Sequence, residues 1–325
     1  MESLPKVCIC IPTYNGEAYL DSAIGSAAAQ TYPNIEIIVS DDCSSDNTVA
    51  IATAWQTKSS LPIILLQHER YGLVENWNYC VQYVQNQTPH PPKYIKFLFQ
   101  DDLLAANCVA RMVEVAEQDD RIGLVFSRRS LLYGTSKQLP TPIHWLKDLH
   151  KSWTNLRSLQ PGIELFSDRN FLHQPDNKIG EPTSVLVKID VLAKLGLFDT
   201  SLRQFCDLEM WFRIMAYHQI AFINEELATF RVHSKQTTTA NVAQDRMWAE
   251  IYRVWLKLVF HPTYNRITPK IRRNIYLHLV KSLMREYLSS ILHHRWHRLG
   301  AIGALMGDAC RLVVIPWQDV YPFNA

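Results

Sequence analysis

The sequence lacks the glycine-rich loops that mark the commonest nucleotide-binding folds. No GxGxxG pattern follows the first predicted strand, and no GxxxxGK[ST] pattern occurs anywhere in the 325 residues. In dinucleotide dehydrogenases and P-loop ATPases these glycines let the backbone approach a phosphate closely. The loop after the first strand is instead PTYNGEAYL. These two classes of enzyme are therefore excluded.

Cysteine pairs are also missing. The seven cysteines are odd in number and form no CxxC pattern, so neither a disulfide framework nor a zinc site is expected. Cys8 and Cys10 lie two residues apart in one predicted strand, so their side chains point to the same face, where we expect them to be small core residues. Free thiols are typical of a protein in a reducing compartment.

Long apolar runs are absent as well. No charge-free apolar run reaches the ~18 residues of a membrane span, and the nearest, at 299–317, is interrupted by Asp308 and Arg311. The apolar run near the N-terminus is too short for a signal peptide. We expect a cytoplasmic protein, peripheral at most on the inner face of the membrane.

The charge is unevenly distributed. The net charge of +2 divides into −5 over residues 1–240 and +7 over residues 241–325. The small total gives no reason to expect nucleic acid as a partner, whereas the basic tail predicts contact with something anionic. An apolar content of 47% is that of an ordinary globular protein.

Strand and helix patterns alternate over the first 130 residues, which predicts a doubly wound, mostly parallel α/β sheet of Rossmann-like type. After residue 183 the pattern predicts a strand, a short helix and a longer helix over 207–218, and the chain is predicted helical from about 241. The predicted strands of the first part are 7–11, 35–39, 63–66, 94–99 and 122–126, and the helices are 17–30, one from 46, 73–85 and 105–118.

Polar clusters follow three of these strands: PTYN (12–15), DD (41–42) and QDD (100–102). In parallel sheets, ligands bind beyond the carboxyl ends of the strands. Two carboxylates at 101–102 can hold Mg²⁺ or Mn²⁺, which prefer oxygen ligands and leave positions open for phosphate. A solvated turn is the plain alternative for an isolated DD pair. Asp46 is expected to cap a helix, which leaves a carboxylate of 41–42 for a nucleobase or ribose.

Several segments together resemble glycosyltransferase family 2, whose members are inverting, nucleotide-sugar-dependent enzymes with the GT-A fold. They are VCICIPTYNGEAYL with IIVSDDCSSDNT, GLVENWN, FLFQDDLL, GEPTSVLVKIDVLAKLGLFD, FCDLEMWFRI and FRVHSKQTT. The resemblance covers roughly 1–238, apart from 133–178. It implies a GT-A catalytic domain over 1–238 and a helical extension over 239–325. The unmatched stretch, without clear periodicity, is expected to be a lid or binding loop.

The resemblance also implies roles for individual residues. Asp207 takes the position of the catalytic base, although Cys206 replaces the usual preceding carboxylate and leaves Glu209 as an alternative base. Asp102 and His233 would hold the divalent cation, Mn²⁺ or Mg²⁺, and Gln100 stands at the first DxD position. The residues expected to bind the nucleotide-sugar donor are Pro12, Thr13, Tyr14, Asn15, Asp42, Asn76 and Asp101.

The implied activity is transfer of a single sugar, with inversion, from a nucleoside-diphosphate sugar to a hydroxyl of a glycan or lipid-linked acceptor. A UDP-sugar donor and a place in cell-surface polysaccharide synthesis are favoured. The alternatives are a sugar-nucleotidyltransferase, whose glycine-rich basic loop is missing, and a catalytically silent nucleotide-sugar-binding module. The sequence HHRWHRL only superficially matches the QxxRW motif of processive synthases.

The C-terminal helices allow two interpretations. Ile275, Leu279, Leu283, Tyr287 and Ile291 recur every four residues, as expected of a helix that packs on the body of the protein. Docking on an anionic membrane surface is the alternative, because basic amphipathic helices bind such lipids. The cations of that surface would be Lys281, Arg285, Arg295 and Arg298.

Overall fold

The computed structural model describes residues 4–87, 89, 91–133, 148–233 and 247–321. Its N-terminal half is four parallel strands in the order β3-β2-β1-β4, with a helix after each. The doubly wound arrangement predicted from the sequence is therefore confirmed. The strands are β1 (Val7–Thr13), β2 (Ile35–Asp41), β3 (Ile63–Gln67) and β4 (Tyr94–Phe97), and the helices are α1 (Leu20–Ala28), α2 (Thr48–Lys58), α3 (Leu73–Gln85) and α4 (Cys108–Ala116).

The second half continues the same sheet with mixed strand directions. β8 lies antiparallel between β4 and β6, and β9 runs parallel to β6 while β5 and β7 pair with it antiparallel. The reversal at β8 brings the turn after β4 and the far end of β9 to the same edge of the sheet. These strands are β5 (Leu103–Leu104), β6 (Ile122–Tyr133), β7 (Leu159–Pro161), β8 (Val185–Lys188) and β9 (Gln219–Val232).

Helices cover both faces of the sheet, and this explains why β1 is apolar at nearly every position. Val7, Ile9 and Ile11 pack in one core, whereas Cys8 and Cys10 pack in the other. Side chains of a strand alternate between faces, so a strand covered on both sides has no polar side. The predicted core location of the two cysteines is confirmed, and all seven cysteines are free thiols.

The C-terminal part is helical, as predicted. In α8, Ile275, Leu279 and Leu283 are fully buried in the core that also contains side chains of α6, whereas Tyr287 and Ile291 keep 40% and 36% exposure. The packing interpretation therefore holds for the first half of the predicted stripe. The helices are α5 (Ile189–Leu195), α6 (Cys206–Tyr217), α7 (Met247–Phe260), α8 (Pro269–Leu292), α9 (Trp296–Arg311) and α10 (Trp317–Val320).

No helix in the described ranges is both long and apolar enough to cross a membrane. The domain boundary at residue 238 stays a prediction. One continuous core joins residues on both sides of that boundary, with Trp255 of α7 packed edge-on against Phe171 at a centroid distance of 5.7 Å. The C-terminal helices are thus packed on the body of the protein.

Candidate active site

The loop after β1 and the turn after β4 are joined through Gln100. The backbone N–H of Tyr14 donates to Gln100 Oε1 at 2.9 Å, and Gln100 Nε2 donates back to the Tyr14 carbonyl at 3.2 Å. A Cβ at position 16 would lie 2.4 Å from Gln100 Oε1, so glycine is needed at Gly16 for this approach. The residue at the first DxD position therefore fixes two edge loops to each other.

The polar residues at the carboxyl ends of β1 and β2 bind one another. Thr13 Oγ1 donates to Asp41 at 3.2 Å, and Asp41 also accepts from the N–H of Ser44 at 3.0 Å. Asn15, in the left-handed region at φ 46°, accepts from the N–H of Ser45 at 2.9 Å. Thr13 and Asp41 are both buried. Asp41 is thus committed to loop structure, which leaves Asp42 as the acidic residue of this pair at the neighbouring site.

Asp42, Arg70 and Tyr14 form one group. The Asp42 carboxylate accepts from the N–H groups of Tyr71 at 2.6 Å and Gly72 at 3.0 Å, and it pairs with Arg70 at 2.9 Å. The Arg70 guanidinium lies 3.1 Å from the centroid of the Tyr14 ring, which is 41% exposed. A cation stacked on an open aromatic face, next to a carboxylate, is a surface that suits a planar nucleobase.

The sequence pattern does not identify Arg70 as a site residue. The only feature that points to it is its position after β3, whose carboxyl end lies at the same edge of the sheet as those of β1 and β2. A basic residue three positions beyond a parallel strand is too common to identify a site without the neighbouring strands in place.

Two of the predicted donor-binding residues are built into the sheet. Pro12 is a buried residue within β1. Asn76 of α3 is also buried; its Nδ2 donates to the carbonyl of Ser40 at 3.0 Å and its Oδ1 accepts from Ser40 Oγ at 2.7 Å. These bonds attach α3 to β2. Contact of Pro12 or Asn76 with a nucleotide stays a prediction, and the bonds of Asn76 do not favour it.

The adjacent carboxylates of Asp101 and Asp102 have different surroundings. Asp102 is 1% exposed; it accepts from Thr183 Oγ1 at 2.8 Å and from the N–H of Arg231 at 2.9 Å. Burial, reinforced by the charge of Asp101, raises the pKa of Asp102 well above its usual range. Both Asp102 oxygens are therefore already occupied by the protein, and this carboxylate fastens the turn to β9 and to Thr183.

Asp101 instead faces His233. Its Oδ2 lies 2.9 Å from His233 Nε2, and the two side chains retain 21% and 12% exposure. The His233 ring packs on Tyr19, with 5.0 Å between centroids. His233 directly follows β9, so the fold brings together two residues that are 132 positions apart.

The Asp101–His233 pair fits a divalent cation. A carboxylate oxygen and an imidazole nitrogen are both common ligands of Mn²⁺, and two protein ligands leave positions for phosphate oxygens and water. Within the described part of the chain, no cluster of three or more His, Cys, Asp or Glu side chains is present. Any cation here would therefore depend on its substrate for much of its coordination.

Asp207 lies in the first turn of α6, partly buried. Its Oδ1 accepts from the N–H of Leu208 at 2.7 Å and its Oδ2 accepts from Asn177 Nδ2 at 3.0 Å. Burial raises the pKa of Asp207 to about 7, and the charge of Glu181 contributes to this rise. A carboxylate with a pKa near neutrality is suited to accept a proton from a hydroxyl group.

The alternative base, Glu209, faces the core. Its carboxylate pairs with Arg213 at 2.9 Å and accepts from the hydroxyl of Tyr264 at 2.9 Å, and the residue is 2% exposed. These contacts do not favour Glu209 as the base, and the choice between it and Asp207 stays a prediction. Cys206, which precedes Asp207, is buried in the same core, so a small apolar side chain suits that position.

Comparisons with known proteins show the family to which the chain belongs. The profile of Glycosyl transferase family 2 matches residues 8–172, and a glycosyltransferase of Rickettsia typhi is 31% identical over 255 residues, 78% of this chain and 72% of that protein. The chain belongs to glycosyl transferase family 2. The matched region contains all three polar clusters, whereas Asp207 and His233 lie beyond it.

Solved structures show that this family 2 glycosyltransferase has the GT-A fold. Residues 1–349 of S. aureus TarS, in complex with UDP-GlcNAc, superpose with a TM-score of 0.65 over 95% of this chain and 81% of that one, at 15% identity. The mannosyltransferase PcManGT from Pyrobaculum calidifontis, in complex with GDP-Man and Mn²⁺, gives 0.57 over 96% and 88%, again at 15% identity. The predicted fold class is confirmed.

Proposed function

We propose that the protein is an inverting glycosyltransferase that moves one sugar from a nucleoside-diphosphate sugar to an acceptor hydroxyl. The observation that carries this proposal is Asp207, a carboxylate of raised pKa, held in place by Asn177 on the same segment as Thr183, which binds Asp102. One short stretch of chain therefore connects the proposed base with Asp102, which lies next to the proposed diphosphate-binding position.

The proposed reaction is a single displacement. The acceptor hydroxyl attacks the anomeric carbon, its proton passes to Asp207, and the bond from that carbon to the diphosphate oxygen breaks with inversion. A divalent cation held by Asp101 and His233 would neutralise charge on the departing diphosphate. The contacts of Asp102 support a role in positioning this turn and favour Asp101 over Asp102 as the carboxylate ligand.

The donor is proposed to be a UDP-sugar. Tyr14 and Arg70 offer a stacking surface for the base, with the buried Asp42 holding Arg70 in place, and both TarS and PcManGT were solved with nucleotide sugars. The PcManGT complex contains GDP-Man, so a guanosine donor is the natural second choice. The sugar would lie between the Asp101–His233 pair and Asp207.

The acceptor is proposed to be a hydroxyl of a glycan or lipid-linked molecule, which suits cell-surface polysaccharide synthesis. The outer face of α8 carries exposed apolar side chains at Leu277, Met284 and Leu288, with exposed Lys281 and Arg285 on the same face. Such a basic, apolar surface suits anionic lipid. The cations of this surface differ in part from the expectation, because Arg295 and Arg298 pair with Glu286.

A thermal-shift screen of UDP, GDP and their common sugar conjugates with Mn²⁺ tests the donor, since a ligand that binds only the native state raises its stability. Donor hydrolysis by wild type and by Asp207→Asn then tests the chemistry. Binding without turnover in both proteins would favour the silent binding module. Hydrolysis by wild type, lost in the variant, is the result expected of a transferase.

A further inference from the structure

A short stretch of chain connects the two ends of the proposed site. We call residues 177–184 the bridging segment. At one end Asn177 Nδ2 donates a hydrogen bond to Asp207 Oδ2 at 3.0 Å. Near the other end Thr183 Oγ1 donates to Asp102 Oδ2 at 2.8 Å. Glu181 stands between these two anchors, and the resemblance to the family gave it no role.

The Glu181 carboxylate uses only one of its two oxygens. Oε2 accepts from Arg129 Nη1 at 2.8 Å, whereas Oε1 is buried with no hydrogen-bond partner among the residues that the structure describes. Leaving a buried acceptor unpaired costs about 1–3 kcal/mol, and more for a charged group. A native protein that keeps such a group generally satisfies it with a ligand, a water molecule or an ion.

The position of Glu181 is fixed by its surroundings. Ser184 donates to the Glu181 carbonyl from both N–H and Oγ, at 2.9 and 2.8 Å, and the buried Arg129 guanidinium lies 5.1 Å from the ring centroid of Phe230. The preceding Gly180 has φ +112°, and a Cβ there would lie 3.1 Å from Arg129 Nη1. The bridging segment is thus shaped to present this carboxylate.

Glu181 lies near both ends of the site. Thr183, two residues further on, binds Asp102 Oδ2 at 2.8 Å, and the charge of Glu181 contributes, after burial, to raising the pKa of Asp207. Glu181 is therefore close to the proposed diphosphate end and to the proposed base. The part of the donor that occupies this interval is the sugar ring.

We propose that Glu181 binds a hydroxyl group of the transferred sugar, with Oε1 as the acceptor and Arg129 holding Oε2. The proposal rests on the function proposed above and adds to it a residue that selects the donor sugar. A carboxylate repels the diphosphate, so of the groups on the donor it suits the neutral hydroxyls. The competing interpretation is an ion pair with Arg129 that only stabilises the fold.

Glu181→Gln separates the two interpretations. Arg129 retains the amide oxygen, so an N–H group replaces the free acceptor while the shape is kept. The probes are UDP-glucose, UDP-galactose, UDP-N-acetylglucosamine and GDP-mannose, with UDP and GDP as sugar-free references, titrated calorimetrically with Mn²⁺. We expect the tightest nucleotide sugar to bind about 10- to 100-fold more weakly, the size of a charge-assisted hydrogen bond, while the affinity for its nucleoside diphosphate changes less than about twofold.

The matched control is Glu226→Gln. Glu226 pairs with Arg128 at 2.7 Å, one residue from Arg129, and its side chain is 41% exposed. This variant weakens an Arg–Glu pair at the surface, away from the bridging segment, so we expect unchanged affinity for every probe. Deoxy analogues of the tightest sugar extend the test: one of them should bind wild type at least about tenfold more weakly yet bind Glu181→Gln no more weakly than the parent sugar.

Three results would overturn the proposal. Equal loss of affinity for the nucleotide sugar and its nucleoside diphosphate would show a structural role. Unchanged affinity of Glu181→Gln for every probe would show that Glu181 binds no hydroxyl of the donor sugar. If wild type binds none of the probes, the proposed function itself fails. Should Glu181→Gln unfold, Glu181→Asp, which keeps the charge but withdraws the acceptor, must show the same selective loss.

Discussion

The Asp101 carboxylate and the His233 imidazole lie 2.9 Å apart, although one follows β4 and the other follows β9. Antiparallel pairing of β5 with β9 holds the two segments at this distance. The next residue, Asp102, is turned inward to Thr183 and to the backbone of β9. We therefore propose separate tasks for these adjacent carboxylates, one at the site and one beneath it.

The first prediction distinguishes these tasks. Asp101→Ala and His233→Ala should each raise the Mn²⁺ concentration needed for half-maximal activity by at least about tenfold, because each removes one of the two proposed protein ligands. Their melting temperatures should change little. Asp102→Ala should instead lower stability by about 1–3 kcal/mol through loss of two buried hydrogen bonds. Mn²⁺ titrations of activity, alongside thermal unfolding, provide both readouts; equal effects of all three variants on the Mn²⁺ requirement would contradict this assignment.

The second prediction concerns the pH dependence of transfer. Asp207 acts as a base only when deprotonated, and burial raises its pKa to about 7. The value of kcat/KM should therefore rise with pH and level off above about 7, and Asp207→Asn should reduce kcat by about 10²- to 10⁴-fold. A pH profile that keeps this rise in the residual activity of the variant would assign the titration to another group.

The third prediction follows from linkage. The pKa of Asp207 is about 7 in the folded protein and about 4 in an unfolded chain, so the native state binds the proton more tightly. Stability contributed by the protonated form is present below about pH 4 and is lost as pH rises through about 7. Asp207→Asn, which cannot ionise, should melt at a higher temperature than wild type at pH 8, and the difference should shrink at pH 5. A difference in melting temperature that does not depend on pH would contradict this prediction.

The sequence predicts the parallel half of the fold well because β1 to β4 are short, mostly apolar runs separated by helical patterns. It fails at β9, where Asn224, Glu225 and Glu226 interrupt the apolar pattern. The structure accommodates them with an irregularity: Ser127 pairs with Ile223, yet the next residue, Arg128, pairs with Glu226. Extra residues in one strand of a ladder break the period-two pattern on which strand prediction depends.

The candidate site was predictable in position where polar residues come shortly after a strand, as at Tyr14, Asp42 and Asp101, whereas the binding roles of these residues stay predictions. It was not predictable where the contact partner comes from a segment that is distant in sequence. Asn177 and Glu181 reach Asp207 and Arg129 through loop geometry, which has no sequence period. Predicted residues can also turn inward: nothing in the letters QDD shows that Asp102 accepts a hydrogen bond from Thr183.

The fourth prediction tests the proposed base-binding surface. Arg70 stacks on Tyr14 and pairs with Asp42, so Arg70→Ala and Tyr14→Ala should each weaken UDP binding by about 5- to 30-fold, the value of one to two kcal/mol. The double variant should lose less than the sum, because the two side chains contact each other. Arg157→Ala, which breaks the exposed Arg157–Glu164 pair, is the charge-matched control. Full additivity, or an equal effect of the control, would contradict a shared surface.

The last prediction concerns α8. Leu277, Met284 and Leu288 are 54%, 53% and 60% exposed, and their spacing of seven and four residues places them on one helix face. Replacing all three with serine should reduce co-sedimentation with anionic vesicles several-fold while nucleotide-sugar affinity stays unchanged, since none of the three contacts the site. Lys281→Glu with Arg285→Glu should act in the same direction and most strongly at low salt, because surface electrostatics are screened by ions. Vesicles of neutral lipid provide the control. If wild type and both variants bind anionic and neutral vesicles equally well, α8 is not the lipid contact.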